Sequence, residues 1–272
     1  MIDVEVNLAR ANLYRYLCAA VLPPGNPRFE LLNDEGFRPV VATAVNWIGT
    51  DATFHPQRLG PAEVDPASMQ TTSLFPDGDE INNAYREVFG HSISKDCPPY
   101  ENEYCANHDV TFRSQRLADI AGFYRAFGLD RSSGARERVD HLSFEAEFMQ
   151  ILLARQLYAT EEGLGEEQVE VCRSAQRTFF VEHLGWWLPA FGVQLAGRTT
   201  SPFYQALGGF VRGFAAAERA VMDVPPFTEL PVAHPDAYAP GGTSFECGLV
   251  SVDEGAEAPA STFPLEPARE GR

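Results

Sequence analysis

The spacing of apolar residues along this chain is helical over most of its length. Apolar positions recur every three or four residues from Leu13 to Val21, and the run stops at Pro23-Pro24-Gly25. Similar runs predict further helices starting near Pro39, after Asp79 as N-cap, from Ser114 to a stop at Gly128, over about 137–159, over about 166–184, and from Ser201-Pro202 to about Met222. Trp186-Trp187 followed by Pro189 is interpreted as core residues at a helix end. No segment shows sustained strand alternation and no heptad persists, so the pattern predicts an all-α globule.

Two stretches interrupt this pattern. Residues 51–78 contain several prolines and are predicted to form an irregular loop. Beyond Asp223 the chain becomes rich in proline and glycine, which is typical of a surface strap or a disordered tail. We therefore predict a single helical domain over 1–222 and an acidic tail over 223–272.

Composition narrows the functional classes. The 272 residues carry a formal net charge of -17 and are 44% hydrophobic, which indicates a globular protein and disfavours nucleic-acid binding. The acidity favours a basic partner, although it also serves solubility alone. The sequence has no apolar run long enough for a membrane span and no secretory pattern at its start. Five cysteines without a pairing pattern complete the expectation of a cytoplasmic protein with reduced thiols and no membrane insertion.

The first chemically distinctive segment is Cys97–Cys105. Its two prolines restrict the backbone before a ligand arrives, and its two tyrosines and two glutamates could hold a cationic peptide. The alternative is an ordinary proline-rich connector with solvated charges.

A second charged segment follows about forty residues later on a predicted helix. His141 and Glu145 are four positions apart and share a face, and Asp140 and Glu147 lie on a neighbouring face. A carboxylate on a face that is otherwise apolar needs a partner when buried. That partner is either a ligand or an internal group such as His141 or an arginine.

Together these segments resemble the two signatures of the TorD/DmsD/NarJ family of redox-enzyme maturation chaperones. Tyr85-Arg-Glu-Val-Phe89 with Pro98-Pro99-Tyr100-Glu101 and Tyr104 is similar to the first signature. The run from Glu137 through Asp140-His141 to Met149 is similar to the second. Residues 100–104 and 117–128 resemble in particular the chaperones of type II DMSO-reductase-family enzymes. Ala146 and Asn102 depart from the family pattern, as does the proline-rich tail.

The resemblance implies a TorD-like all-α chaperone that is not an enzyme and needs no cofactor or metal. Its partner would be the catalytic subunit of a molybdopterin oxidoreductase, held in the cytoplasm until the molybdenum cofactor is inserted, with the N-terminal twin-arginine signal peptide as a candidate ligand. A monomer or homodimer is expected. Carboxylates of this chain would bind the arginines of the signal peptide, and apolar side chains would contact the apolar run that follows them. The expected client-binding residues are Tyr85, Val88, Phe89, Pro99, Tyr100, Glu101, Asp140, His141, Glu145 and Glu147.

Two other classes stay open on the residues alone. One is a metal-dependent helical enzyme that uses His141 and Glu145 with the set His91, Cys97, Cys105 and His108; Cys97 and Cys105 could instead form a redox-sensitive disulfide. The other is a scaffold whose acidic surface binds a basic domain and has no role in maturation.

Overall fold

The computed structural model describes residues 4–77, 80–90, 97–130 and 137–233, and these all belong to one compact unit, Met1–Ala237. Its described residues form eight α-helices and no strand, which confirms the all-α prediction. The helices are Val4–Ala20 (α1), Phe37–Ile48 (α2), Ile81–Phe89 (α3), Val110–Ala126 (α4), Leu142–Glu161 (α5), Glu166–Phe179 (α6), Leu188–Gly197 (α7) and Pro202–Val221 (α8). Short 3-10 turns lie at Phe29–Asn33, Ala52–Phe54, Pro66–Ser68 and Glu101–Tyr104.

Helix α1 lies at the centre of the core. It packs on α2, α5 and α8, and its residues from Leu13 to Ala20, except Arg15, are almost completely buried. A buried ion pair joins it to α8: Arg10 donates to Glu218 at 2.7 and 2.8 Å, and the Tyr14 hydroxyl donates to the same carboxylate at 2.8 Å. Because both charges are fully buried, each needs the other to offset its lost hydration.

Helices α7 and α8 approach each other through glycines. A Cβ atom on Gly208 would lie 2.6 Å from the carbonyl oxygen of Gly192, so neither position has room for a side chain. A Cβ atom on the neighbouring Gly209 would meet no other atom within 4 Å. The close contact brings α7 against the core, where Phe191 and Leu195 are completely buried.

Several helix predictions need correction at their ends. The fourth helix begins at Val110, not Ser114, because the Asp109 carboxylate accepts from the Phe112 amide and caps it. The predicted stop at Gly128 is confirmed by its positive φ of 65°. Pro189 lies in the first turn of α7, so the tryptophans precede a new helix rather than end one. The predicted cap Asp79 lies outside the described residues.

Helix α6 continues as one π-helical turn, Phe180–Leu184. The predicted helix over 166–184 therefore consists of an α-helical part followed by this π-helical turn. Such turns place side chains at angles that a regular helix does not allow. Here the turn directs His183 inward, where it is 1% exposed.

The region predicted as an irregular loop is attached to α8 by Arg219, which donates to Glu63 at 2.7 and 2.8 Å. Past the end of α8, Val224 is buried, and the ring centre of Phe227 lies 6.5 Å from that of Phe180. The boundary at 222–223 and the tail over 223–272 stay predictions, since residues 234–272 are not among those described.

Candidate functional site

The two charged segments meet through their backbones. The Glu101 amide donates to the Asp140 carbonyl at 3.0 Å, and the Leu142 amide donates to the Pro99 carbonyl at 2.9 Å. This antiparallel bridge sets Tyr100 opposite His141, with their rings 4.9 Å apart. The segments that the sequence analysis singled out therefore form one structure, which we call the joint (residues 97–105 and 137–145).

Arg138 organises the charges of the joint. Its guanidinium donates to both oxygens of Asp140 at 2.9 and 2.8 Å and to Glu103 at 3.0 Å, and it lies 4.5 Å over the Tyr100 ring. Asp140 also accepts from the Asn102 amide at 3.1 Å. Arg138 was not among the predicted site residues, although its place between Glu137 and Asp140 was a signal that these carboxylates had an internal partner.

Glu101 is completely buried and has three partners of its own. It forms an ion pair with Arg116, accepts from the Trp186 indole at 3.1 Å, and lies 3.2 Å from Nδ1 of His183. These partners come from α4, from the π-helical turn and from the residues just after it. The acceptor oxygens expected to bind a foreign arginine are thus already used by an internal one.

His141 is the N-cap of α5, which begins at Leu142 and not near residue 137. Its Nδ1 accepts from the Ser143 amide at 3.1 Å and lies 2.7 Å from the Ser143 hydroxyl, so the neutral ring carries its proton on Nε2. Burial lowers the pKa of His141 to about 4. His141 thus lies at the helix end, one turn before Glu145, whose amide donates to the His141 carbonyl at 3.2 Å.

Glu145 faces the core, where it is completely buried. One oxygen accepts from the Trp187 indole at 3.3 Å, and the other has no hydrogen-bond partner. Burial raises the pKa of this carboxyl well above its usual range, and the nearby charges of Glu101 and Asp140 act in the same direction. The partner of Glu145 is thus Trp187, not His141 or an arginine.

The apolar residues expected to contact a client lie mostly inside. Val88 and Phe89 are 2% and 4% exposed, and Pro99 is buried beside the bridge. Tyr85 is half-buried, and its ring lies 4.9 Å from the Phe89 ring at a tilt of 42°. Burial, with the Glu137 carboxylate acting in the same direction, raises the pKa of Tyr85 to about 12.

Glu147 is the one predicted carboxylate with substantial exposure. Its side chain is 28% exposed and pairs at 2.6 Å with Arg28, which is 53% exposed. This pair lies between two surface cavities of about 470 and 190 Å³, and its two residues line both. The smaller cavity has mainly apolar walls, contributed by Tyr124, Leu129, Val139, Phe144, Phe148 and Ile151. We call the two cavities and the pair between them the groove.

The arrangement does not support the metal-dependent alternative. Within the described part of the chain, His141, Glu145, Cys97, Cys105 and His108 do not bring three ligand atoms to one point. Cys97 and Cys105 are not joined by a disulfide. His91, the remaining member of that set, lies outside the described residues. In the described ranges no helix is both long and apolar enough to cross a bilayer.

Residues 72–192, which contain the whole joint, match the family model of the nitrate reductase delta subunit. These residues, which are less than half of the chain, are similar to this NarJ/TorD family. The resemblance drawn from the two signatures is thereby confirmed.

Curated relatives share the same region. A perchlorate reductase assembly chaperone protein of Dechloromonas aromatica is 34% identical over 37% of this chain and 44% of that protein. A selenate reductase assembly chaperone protein of Thauera selenatis is 36% identical over 35% of this chain and 49% of that protein. The chaperone protein TorD of Aliivibrio fischeri is 24% identical over 50% of this chain and 60% of that protein. The chain thus spans about half the length of these relatives.

Proposed function

We propose that this protein is a non-enzymatic, client-specific assembly chaperone for the catalytic subunit of a DMSO-reductase-family molybdoenzyme. It binds that subunit in the cytoplasm and holds it until the molybdenum cofactor is inserted, before export. The observation that carries the proposal is the backbone bridge between Tyr100 and His141, which unites both signature segments within the matched region. The names of the relatives, assembly chaperones of perchlorate and selenate reductases, support the choice of client.

The groove is the surface on which we propose that the client's N-terminal peptide docks. A twin-arginine signal presents guanidinium groups followed by an apolar run. The Glu147 carboxylate can exchange its partly exposed partner Arg28 for a client arginine, and the apolar cavity beside it can take the following side chains. A charged hydrogen bond of about 1.5–3 kcal/mol together with apolar burial gives binding in the micromolar range, which allows later release.

The remaining predicted residues take a positioning role in this proposal. Asp140, Glu101 and His141 hold the two segments together, and Val139 and Phe144 extend from the joint into the wall of the groove. Direct contact of Tyr85, Val88, Phe89, Pro99, Tyr100 or Glu145 with a client stays a prediction, because these side chains face inward or other parts of the chain in this conformation.

Calorimetric titration with a synthetic peptide that carries two arginines before an apolar run tests the docking site. Glu147→Gln should weaken binding by about tenfold, since it removes one charged hydrogen bond. Glu161→Gln, an exposed residue at the far end of the same helix, should leave it unchanged. Equal affinity of the wild type and Glu147→Gln, or equal affinity for a dilysine peptide, would reject the groove as the site.

Chaperone function itself is tested separately. The molybdopterin oxidoreductase subunit of the same organism is produced with and without this protein, and its molybdenum content is measured. We expect molybdenum loading to fall sharply when the chaperone is omitted. Full loading without it would favour the scaffold hypothesis, whatever the peptide titration shows.

A further inference from the structure

A cluster of possible metal ligands lies next to the joint, at residues that were not among the predicted site residues. Asp119 projects from α4, and Glu182 and His183 come from the π-helical turn. One ligand atom from each lies within 4.8 Å of the other two. Among the described residues this is the one group of three His, Cys, Asp or Glu side chains with such spacing.

His183 is oriented as a metal-binding histidine is. Its Nδ1 faces the buried Glu101 carboxylate at 3.2 Å, which fixes the ring and leaves Nε2 directed at the cluster. Metal-binding histidines commonly have such a carboxylate behind the ring, and it raises their basicity. The side chain is 1% exposed, yet Nε2 makes no hydrogen bond. An unbonded buried ring nitrogen is costly unless something occupies the position in front of it.

The spacing of the ligand atoms agrees with a bound ion. Nε2 of His183 lies 3.4 Å from Oδ2 of Asp119. Two ligands at about 2.0–2.1 Å from one tetrahedral zinc ion are about 3.3 Å apart. Asp119 and Glu182 are exposed, so their carboxylates can adjust and an ion can enter from solvent.

The local charge also favours a divalent cation. Glu101, Asp119 and Glu182 provide three carboxylates around the imidazole of His183. Arg116 offsets one of them through its ion pair with Glu101, and it also donates to the Glu182 carbonyl at 2.9 Å. A divalent ion would balance the remaining charge.

We propose that Asp119, Glu182 and His183 bind a divalent first-row transition-metal ion, with a fourth position open to solvent. Imidazole with two carboxylates suits zinc or cobalt better than magnesium or calcium. The ion would join α4 to the π-helical turn directly behind Glu101 of the joint. This site is independent of the client groove, and chaperone function does not require it to be occupied.

Tag-free, chelator-stripped full-length protein is titrated with zinc and with cobalt to test the site. We expect binding of one ion, visible absorption bands of the cobalt form, and a change in tryptophan fluorescence, because Trp186 donates to Glu101. Asp119→Asn should weaken binding at least about tenfold while the far-UV circular dichroism stays unchanged, because the side chain is 62% exposed. Glu161→Gln is the matched carboxylate-to-amide control and should bind like the wild type.

Two results would overturn the proposal. One is the absence of stoichiometric zinc or cobalt binding, which would mean that a protonated His183 simply bridges Glu101 and Asp119. The other is binding that Asp119→Asn and Glu182→Gln leave unchanged, which would place the ion elsewhere in the chain.

Discussion

The buried imidazole of His141 makes the stability of this fold depend on pH. Burial is the main reason that its pKa falls from 6.5 to about 4; Arg138 acts in the same direction, while Glu137 and Asp140 oppose it. The unfolded chain therefore takes up a proton between these values that the folded chain excludes, and stability decreases as the pH falls. The whole shift corresponds to about 3 kcal/mol, of which about 1.3 kcal/mol is lost between about pH 7.5 and about pH 5.5.

The comparison variant is His141→Asn. Asparagine does not titrate, and its side-chain oxygen can still accept from the Ser143 amide as an N-cap. Urea unfolding is followed by tryptophan fluorescence at both pH values for both proteins. On acidification from about pH 7.5 to about pH 5.5, the wild type should lose about 1.3 kcal/mol more unfolding free energy than the variant loses. Taking the difference removes the contributions of other groups, including Glu145, whose raised pKa acts in the opposite direction.

A stability difference that stays constant between the two pH values would refute this reasoning. It would mean that the folded protein protonates His141 as readily as the unfolded chain does. Since the bridge holds the ring against Tyr100, such a result would also imply that the joint opens in solution.

Three further changes follow from the packing and charges. Gly208→Ala should destabilise by about 2–3 kcal/mol in urea unfolding, because its Cβ would overlap a carbonyl of α7, whereas Gly209→Ala should be neutral or slightly stabilising. The raised pKa of Glu145 makes the wild type lose stability once the pH exceeds the pKa that this carboxyl has in the unfolded chain. The stability of Glu145→Gln relative to the wild type should therefore rise with pH, by at most about 1.4 kcal/mol per pH unit. A stability difference that does not depend on pH would contradict this. Arg138→Met should cost about 3–5 kcal/mol in thermal or urea unfolding, since it leaves two buried carboxylates without their cation; a loss below about 1 kcal/mol would show that these pairs are solvated.

The sequence determined the helical class of this protein because helical periodicity is local. The apolar spacing from Leu13 to Val21 and the signals at Gly128 and Ser201-Pro202 each act within one or two turns of a helix, and the structure has helices there. The two signature segments were likewise recognisable from their residues, and the family match covers both. Even the error at Pro189 is local, since proline suits a helix start as well as the region after a helix end.

Only the tertiary structure decided which charges face outward. Arg116, His183 and Trp187 lie 15, 82 and 42 positions from the carboxylates that they contact, and no periodicity links residues so far apart. The same residue types could have lined an open acidic cleft. Most are buried because an ionised carboxylate removed from water needs a cation or donor nearby, and the packing of α4, the π-helical turn and the joint brings those partners to it.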